Sequence, residues 1–334
     1  MSAAQITFNQ IIIIFIIIII GMICYKVKLI DEATNAKLSN ILLLLVNPMV
    51  IFVAYQRSFS TELLEGLLIS LLLSIVTHVV SILLAYLLIR KKKREINHQD
   101  GTGSSIVVEN KDALVERINV IYANVGFMGI PLVNGIFGTE GVFYVTASIT
   151  IFNLFLWTQG VIMMSGNNEW SFKVLMKKLL SPNIIAIGVG LICFLFQLMV
   201  PQVVKEALTH VANMNTPFAM LIAGVTIGRT DLRKLLKKYR VFYVAFIKLL
   251  LLPVLLLLLY SRFPINNTVF TTAVIMAAAP SATTGILFSI KYGRNSVLSA
   301  EIFTVTTLLC ALTIPLLVRL AELFIKAAAE DLLR

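Results

Sequence analysis

Small uncharged polar side chains lie beside two prolines in apolar stretches of this sequence. Asn124 precedes Pro131 by seven residues. The second stretch has hydroxyl groups directly after its proline, in the order Pro280, Ser281, Thr283 and Thr284. Because proline removes a backbone donor and opens a helix, the half-helix that follows it presents free N–H groups and the positive end of its dipole. Two such openings that face each other predict a polar, partly positive pocket that suits a carboxylate.

The candidate substrate site extends to polar residues on other helices. The nine candidate residues are Asn47, Asn124, Gly129, Pro131, Asn153, Pro280, Ser281, Thr283 and Thr284. Hydrogen bonding between helices explains each polar side chain alone equally well, but a binding site explains the group around two helix breaks better. The sequence has no metal-ligand spacing, nucleotide-binding motif or catalytic constellation, so we predict no metal, no cofactor and no enzyme activity.

Ionisable side chains inside the apolar stretches are few, and they are candidates for function because charge in a membrane is costly. His78 could relay protons near neutral pH. Glu301 is a second candidate for proton coupling, although an interfacial position suits it equally well. Lys248 and Arg117 are expected to extend to the membrane interface, where long basic side chains keep their charge in water.

The composition indicates a membrane protein. Of the 334 residues, 58% are hydrophobic and 13% are charged, and the mean hydropathy is +0.92. A membrane-spanning helix needs about 20 apolar residues. The ten predicted spans are residues 8–25, 38–55, 64–89, 118–137, 142–164, 184–200, 208–227, 241–260, 268–290 and 297–324. The first is expected to be a retained helix rather than a signal peptide, because no basic residue precedes it and no cleavage site follows it.

The positive charges predict how the chain is oriented. The net charge is +11, and twenty Lys and Arg residues follow the odd-numbered spans, against five in the other loops and the termini. Basic loops stay in the cytoplasm, so both termini are expected outside it, in a plasma or inner membrane. No aromatic-basic recognition motif accompanies the charge, so we expect the lipid bilayer and not nucleic acid as the partner.

Ten spans divide into two sets of five. Because each set has an odd number of spans, the second set enters the membrane from the opposite side and has the inverted orientation. Matched prolines support this repeat: Pro48 in the second span corresponds to Pro217 in the seventh, and Pro131 in the fourth to Pro280 in the ninth. The motifs FGTEGV and YGRNSV then follow the two broken helices. The predicted units are a first repeat at 1–164 with a basic cytoplasmic loop at 90–117, a linker at 165–182, and a second repeat at 183–334.

Three motifs resemble the auxin efflux carrier family, whose bacterial members are often described as malate or malonate permeases. They are NVGFMGIPL, which contains Pro131, AAAPSATTGILFSIKYG, and TPFAMLIAGVTIG. The resemblance implies an all-α polytopic fold of ten helices in two inverted five-helix repeats. It also implies crossed, broken fourth and ninth helices, an elevator-type mechanism and a homodimer. The long central loop of many plant members is absent, so a small carboxylate such as malate is expected rather than auxin.

The predicted function is therefore that of a secondary carrier, an efflux carrier or permease for small organic anions. A sodium-coupled organic-anion symporter of the bile-acid type is one alternative, and it predicts strict sodium dependence. A passive channel is another, and it predicts flux without saturation or exchange. A membrane-embedded enzyme or sensor would need a catalytic cluster or an attached signalling domain, and the sequence has neither.

Overall fold

A computed structural model describes residues 3–90, 93–97, 105–109, 112–166, 173, 176 and 180–332. Within these described residues the protein is helical, as predicted, apart from one short antiparallel hairpin between the third and fourth helices. The hairpin strands are β1 (Lys93–Asn97) and β2 (Ser105–Glu109). The helices are α1 (Ala3–Lys26), α2 (Glu32–Tyr55), α3 (Thr61–Leu88), α4 (Asp112–Ile121), α5 (Val125–Ser165), α6 (Pro182–Leu195), α7 (Gln202–Ala212), α8 (Asn215–Gly228), α9 (Leu232–Leu235), α10 (Tyr239–Tyr260), α11 (Asn267–Ala278), α12 (Thr284–Lys291) and α13 (Ser296–Leu332).

Seven helical stretches of the described chain are long and apolar enough to cross a membrane. They are α1, α2, α3, α5, α7 with α8, α10 and α13. The shorter apolar helices α6 and α11 lie between them. Apolar side chains cover the outer surface: Ile16 and Ile19 of α1 are each 53% exposed. Such a surface needs lipid around it, so the protein is a multi-pass membrane protein.

Three of the long helices contain a π-helical turn directly before a proline. These turns precede Pro48 in α2, Pro131 in α5 and Pro253 in α10. Proline has no N–H to donate to the preceding turn, and the wider π-helical turn accommodates this loss without ending the helix. The prediction that the fourth span opens at Pro131 is therefore wrong. That span opens seven to nine residues earlier, at 122–124, between α4 and α5.

Two glycines in the left-handed region of the backbone follow the two broken helices. Gly138 has φ +60° and interrupts α5, and Gly293 has φ +59° and follows α12. Only glycine adopts this conformation without steric cost. These glycines belong to the motifs FGTEGV and YGRNSV, which the sequence analysis placed at corresponding positions of the two predicted repeats. The long helix α5 therefore consists of two segments that differ in direction at Gly138.

The predicted basic loop at 90–117 is shorter than expected. Its last residues are helical, because α4 begins at Asp112. Arg117 of α4 is buried, its guanidinium donates two hydrogen bonds to the carbonyl oxygen of Ile89 at 3.0 and 2.7 Å, and it lies over the ring of Tyr86. The expectation that Arg117 extends to the interface is wrong, because these partners hold it inside the protein. Most of the predicted linker at 165–182 lies outside the described residues.

Two ion pairs join the adjacent ends of α4, α10 and α13. Glu116 accepts two hydrogen bonds from Arg240, both at 2.6 Å. Glu301 accepts two from Lys238, at 2.7 and 2.8 Å. Glu116 is 1% exposed, so its charge depends on Arg240 for compensation. These pairs hold the three helix ends together at one edge of the protein.

Glycines allow α1 and α8 to pack backbone against backbone. A Cβ atom at Gly224 would collide with the carbonyl oxygen of Ile18, and one at Gly21 would lie 2.5 Å from the carbonyl oxygen of Leu221. Close approach of this kind stabilises helix pairs in lipid, where van der Waals contact replaces the hydrophobic effect.

Candidate functional site

The two unwound segments of the chain cross and pair with each other inside the protein. The stretch between α4 and α5 lies antiparallel to the stretch between α11 and α12. The N–H of Asn124 donates to the carbonyl of Pro280 at 2.8 Å, and the N–H of Ala282 donates to the carbonyl of Tyr122 at 3.0 Å. These bonds satisfy backbone groups that would be costly to leave unpaired at membrane depth. The crossing therefore holds two helix breaks against each other.

Ser281 fastens this crossing to the surrounding helices. Its hydroxyl donates to the carbonyl oxygen of Asn119 at 2.7 Å, and its N–H donates to Oγ1 of Thr306 at 3.1 Å. The amide of Asn119 in turn donates to the hydroxyl of Ser299 at 2.9 Å. Ser281 is fully buried, so it stabilises the break rather than contacting a ligand.

A cavity of about 670 Å³ lies on one side of the crossing. It is bounded by α2, the break before α5, the middle of α5, the residues at the start of α6, and the break before α12. Five of the nine candidate residues line it, and they are Asn47, Asn124, Asn153, Thr283 and Thr284. The structure therefore brings together polar residues that lie far apart in the sequence.

The other four candidate residues do not line this cavity. Gly129 packs against Met276, where a Cβ atom would lie 2.8 Å from the methionine side chain. Pro131 lies in the first α-helical turn after the π-helical turn of α5. Pro280 and Ser281 pair the two breaks by the hydrogen bonds described above. These residues shape the crossing that forms one wall of the cavity.

Five residues that line this cavity each have a buried polar side-chain atom without a hydrogen-bond partner among the described residues. These atoms are Nδ2 of Asn47 and Asn124, Oγ1 of Thr284, and, at the start of α6, Oγ of Ser181 and Oδ1 of Asn183. Buried polar groups are normally paired with protein or with ordered water, so these groups are available to bind water or a solute beside the cavity. Ser181 and Asn183 were not predicted from the sequence. The motif SPN before an apolar run was the only sequence signal for these two residues, and the same motif is typical of an ordinary helix N-terminus.

Backbone donors add to this set. The N–H groups of Gly126, Phe127, Thr283 and Thr284 have no hydrogen-bond partner among the described residues, and all four residues line the cavity. They lie at the start of α5 and of α12. The first N–H groups of a helix have no partner within it and carry its positive partial charge. Two helix N-termini thus converge on one space.

The rest of the cavity wall is mainly apolar. Phe127, Phe152 and Leu156 contribute side chains to it. Lys291, at the end of α12, is the one described lining residue with a formal charge, and its Nζ donates to the hydroxyl of Tyr292 at 3.0 Å. Lys291 was not among the predicted site residues. An exposed cation at the rim attracts anions toward the cavity.

The two candidates for proton coupling lie outside this cavity. His78 is buried in α3, with Nδ1 2.8 Å from the carbonyl oxygen of Ser74 and its ring stacked on Phe155 at 5.1 Å. Glu301 lies in the ion pair with Lys238, at a different place in the protein. Lys248 does not extend to the interface as expected, because its side chain is 1% exposed and lines a small cavity beside His78.

Comparison with protein families matches residues 6–171 and 167–318 of this chain to a family described as membrane transport protein. The two stretches cover most of the sequence. The chain belongs to this family. The resemblance to the auxin efflux carriers is thereby confirmed. The chain is also 20% identical over 307 residues to a protein described as an uncharacterized transporter of Methanothermobacter thermautotrophicus, which covers 91% of this chain and 94% of the relative.

Membership in the membrane transport protein family gives the site its context. A cavity beside two broken helices, with unpaired donors around it, suits a solute that binds and leaves again. Among the described residues of this membrane transport protein, no group of three or more His, Cys, Asp or Glu side chains could hold a metal ion.

Proposed function

We propose that this protein is a secondary carrier for small organic anions, which bind in the cavity beside the crossed helix breaks. One observation carries the proposal: nine buried or backbone polar groups around one cavity lack a partner. Six of these groups can only donate hydrogen bonds, two are hydroxyls, and one is an acceptor. An excess of donors suits a ligand with several acceptor oxygens, such as a carboxylate.

In this proposal the substrate contacts one part of the predicted site, and the other part supports it. Asn47, Asn124, Asn153, Thr283 and Thr284 contact the anion. Gly129, Pro131, Pro280 and Ser281 hold the crossing in place. The helix N-termini compensate one carboxylate, and Lys291 at the rim lies where a second could reach. A small carboxylate such as malate fits this distribution of charge.

The proposed architecture is ten spans in two inverted repeats, at 1–164 and 183–334. The division of α5 at Gly138 supports this count, because its two segments then count as separate spans. Spans are completed by α6 and by α11 with α12, which are apolar but individually short. The paired φ values of Gly138 and Gly293 support the repeat. With the basic loops in the cytoplasm, both termini lie outside it, in the plasma or inner membrane.

The proposed mechanism is elevator-type alternating access, with the crossing in the moving domain. A second cavity, of about 250 Å³, supports this because it lies between α2 and α5, which also border the large cavity, and α7 and α8, which do not. Its lining includes Asn134 and Thr139 of α5 and Asn213 before α8. Between the two cavities, the amide of Asn215 donates to Oδ1 of Asn47 at 2.6 Å. The α1, α2 and α6–α8 helices form the scaffold, through which the family resemblance suggests a homodimer.

Transport of labelled organic acids by purified protein in proteoliposomes tests this function. The panel contains malate, malonate, succinate, lactate and indole-3-acetate, with succinamide as an uncharged control. We expect saturable uptake of at least one acid, acceleration by the same unlabelled acid inside the vesicles, and no uptake of the amide.

The same assay separates the alternatives. A sodium-coupled symporter would lose uptake when choline replaces sodium, and a passive channel would show no acceleration by internal acid. Absence of uptake for every acid in the panel would contradict the proposal. Asn124→Ala is the site control, and we expect it to lower uptake of the responding acid.

A further inference from the structure

A buried lysine lies behind the crossing, on the side away from the large cavity. Lys248 belongs to the π-helical turn of α10 and is 1% exposed. Its Nζ forms no hydrogen bond or ion pair with any described residue. Lysine is almost never fully buried unless it is paired. Lys248 therefore requires an explanation that packing alone does not give.

Lys248 lines a small chamber of about 20 Å³, which has room for one water molecule. His78 of α3 lines the same chamber. Hydroxyl groups of Ser74, Thr77 and Ser148 complete its polar wall, and Oγ of Ser74 lies 2.9 Å from Oγ of Ser148. Half of the residues that line the chamber are therefore polar, and the other half are apolar.

The hydrogen bond of His78 fixes its tautomer. A carbonyl oxygen can only accept, so the contact with Ser74 requires the proton on Nδ1. Nε2 of neutral His78 is then an acceptor, and it has no hydrogen-bond partner among the described residues. The chamber thus joins an amine that can donate or take up a proton and an imidazole nitrogen that can accept one. One water molecule could bridge them.

A thin wall of backbone separates this chamber from the large cavity. Ala123 and Val125, on either side of Asn124, line both spaces. A positive charge on Lys248 therefore acts on an anion in the cavity across a single stretch of chain. Because the surroundings are apolar, little screening reduces this interaction.

Other titratable groups near Lys248 do not provide a counter-charge. His78 is the other titratable residue among the described residues that line the chamber. Glu116 of α4 and Glu301 of α13, on helices packed against this turn, are held in the ion pairs described above. Cys310 of α13 is buried and donates to a backbone carbonyl, and α11 contains no titratable residue. Lys248 thus faces no carboxylate.

Two tyrosines near the chamber are engaged as hydrogen-bond donors. The hydroxyl of Tyr260 donates to the carbonyl oxygen of Leu73 at 2.7 Å, and that of Tyr122 donates to Oε1 of Gln159 at 2.7 Å. A hydroxyl that donates to these acceptors keeps its proton. Lys248 and His78 therefore remain as the candidates for proton exchange in this region.

We propose that Lys248 is the proton-binding site that couples anion transport to a proton gradient, with His78 as its relay. This inference rests on the proposed function. When the anion binds, the amine takes up one proton and becomes an ammonium; when the anion leaves, the ammonium releases that proton to the other side. Only an N–H bond forms and breaks. The loaded carrier then moves the anion and one positive charge together, and the empty carrier returns with a neutral amine. The added proton thus offsets one negative charge of the anion during its passage.

The test compares two activities of the same proteoliposomes in sodium-free buffer. Counterflow measures exchange of labelled for unlabelled acid, using the acids of the panel. A pH-sensitive dye inside the vesicles measures the protons that enter with unlabelled acid. The variants are Lys248→Met, which removes the charge at similar volume, Lys248→Arg, which keeps it permanently, and His78→Gln. Lys326→Met, at an exposed lysine of α13, is the matched control.

We expect wild type and Lys326→Met to show counterflow and acid-driven proton entry. Lys248→Arg should retain counterflow, which also shows that it is folded, because the loaded carrier keeps its positive charge, and it should lose proton entry. Lys248→Met should lose proton entry and slow counterflow, because its loaded carrier lacks the compensating charge. His78→Gln should slow proton entry more than counterflow.

Proton entry in Lys248→Met or Lys248→Arg would overturn this inference, as would wild-type counterflow without proton entry. In these cases the proposed function stands. Absence of wild-type counterflow for every acid would instead overturn the proposed function, and this inference with it.

Discussion

The Asn124→Asp variant is expected to transport the responding organic acid at least about 100-fold more slowly than wild type. Asn124 lines the large cavity and presents an unpaired Nδ2 to it, beside the start of α5. Aspartate removes this donor and adds a negative charge next to the anion. Juxtaposed like charges cost several kcal/mol, and each 1.4 kcal/mol corresponds to about a factor of ten.

Initial rates of uptake into proteoliposomes, normalised to folded protein, measure this effect. Asn124→Ala removes the donor without adding charge, so we expect a smaller loss, of roughly tenfold, from one hydrogen bond to a charged group. Asn9→Asp, at an exposed position of α1, makes the same chemical change away from the cavity and should leave the rate unchanged. Equal rates for wild type and Asn124→Asp would exclude Asn124 from the anion site.

The Glu116→Gln variant is expected to lower the free energy of unfolding by about 2 kcal/mol, because it removes a buried carboxylate that accepts hydrogen bonds from a charged guanidinium, which is itself 33% exposed. Glu116 is 1% exposed and accepts both of its hydrogen bonds from Arg240. Glutamine cannot compensate the guanidinium charge, and its amide would face another donor. This pair joins α4 to α10, so we expect the loss to be global rather than local.

Unfolding in detergent, followed as the loss of monodisperse protein with temperature, measures the change. Glu32→Gln is the matched control, because Glu32 is exposed and lies 3.6 Å from Arg229. An exposed pair contributes at most about 1 kcal/mol, so this variant should unfold nearly as wild type does. Equal unfolding temperatures for Glu116→Gln and Glu32→Gln would contradict the structural role of the buried pair.

The sequence predicted the membrane character, the presence of two breaks and five of the residues that line the cavity. Apolar runs and proline motifs are local signals, so Pro280 and the hydroxyl residues after it indicated a break correctly. The position of the first break was wrong because Pro131 is accommodated by a π-helical turn. The chain opens instead at Ala123, where the opposite segment supplies the hydrogen-bond partners. A pairing between distant segments is not visible in either segment alone.

The burial of Lys248 and Arg117 was the other feature that could not be predicted from the sequence. Lys248 and Arg117 look alike in an apolar run, and extension to the interface is the common outcome for both. Arg117 is instead held by the carbonyl of Ile89, and Lys248 faces a chamber formed by α3, α5 and α11. Similarly, Ser181 and Asn183 lie at the start of an ordinary apolar helix, and they line the cavity only because α6 begins beside it.

Protection of a single cysteine by substrate tests most directly whether the cavity beside the crossing is the anion site. Thr284→Cys is introduced into a chain whose Cys24, Cys193 and Cys310 are replaced by serine or alanine. Its rate of reaction with a water-soluble thiol reagent is measured in detergent, with and without a saturating concentration of the transported acid. Asn267→Cys, exposed at the start of α11, is the control. We predict that the acid slows labelling of Thr284→Cys several-fold and leaves Asn267→Cys unchanged. Equal labelling of Thr284→Cys with and without an acid that the same protein transports would contradict binding at the crossing.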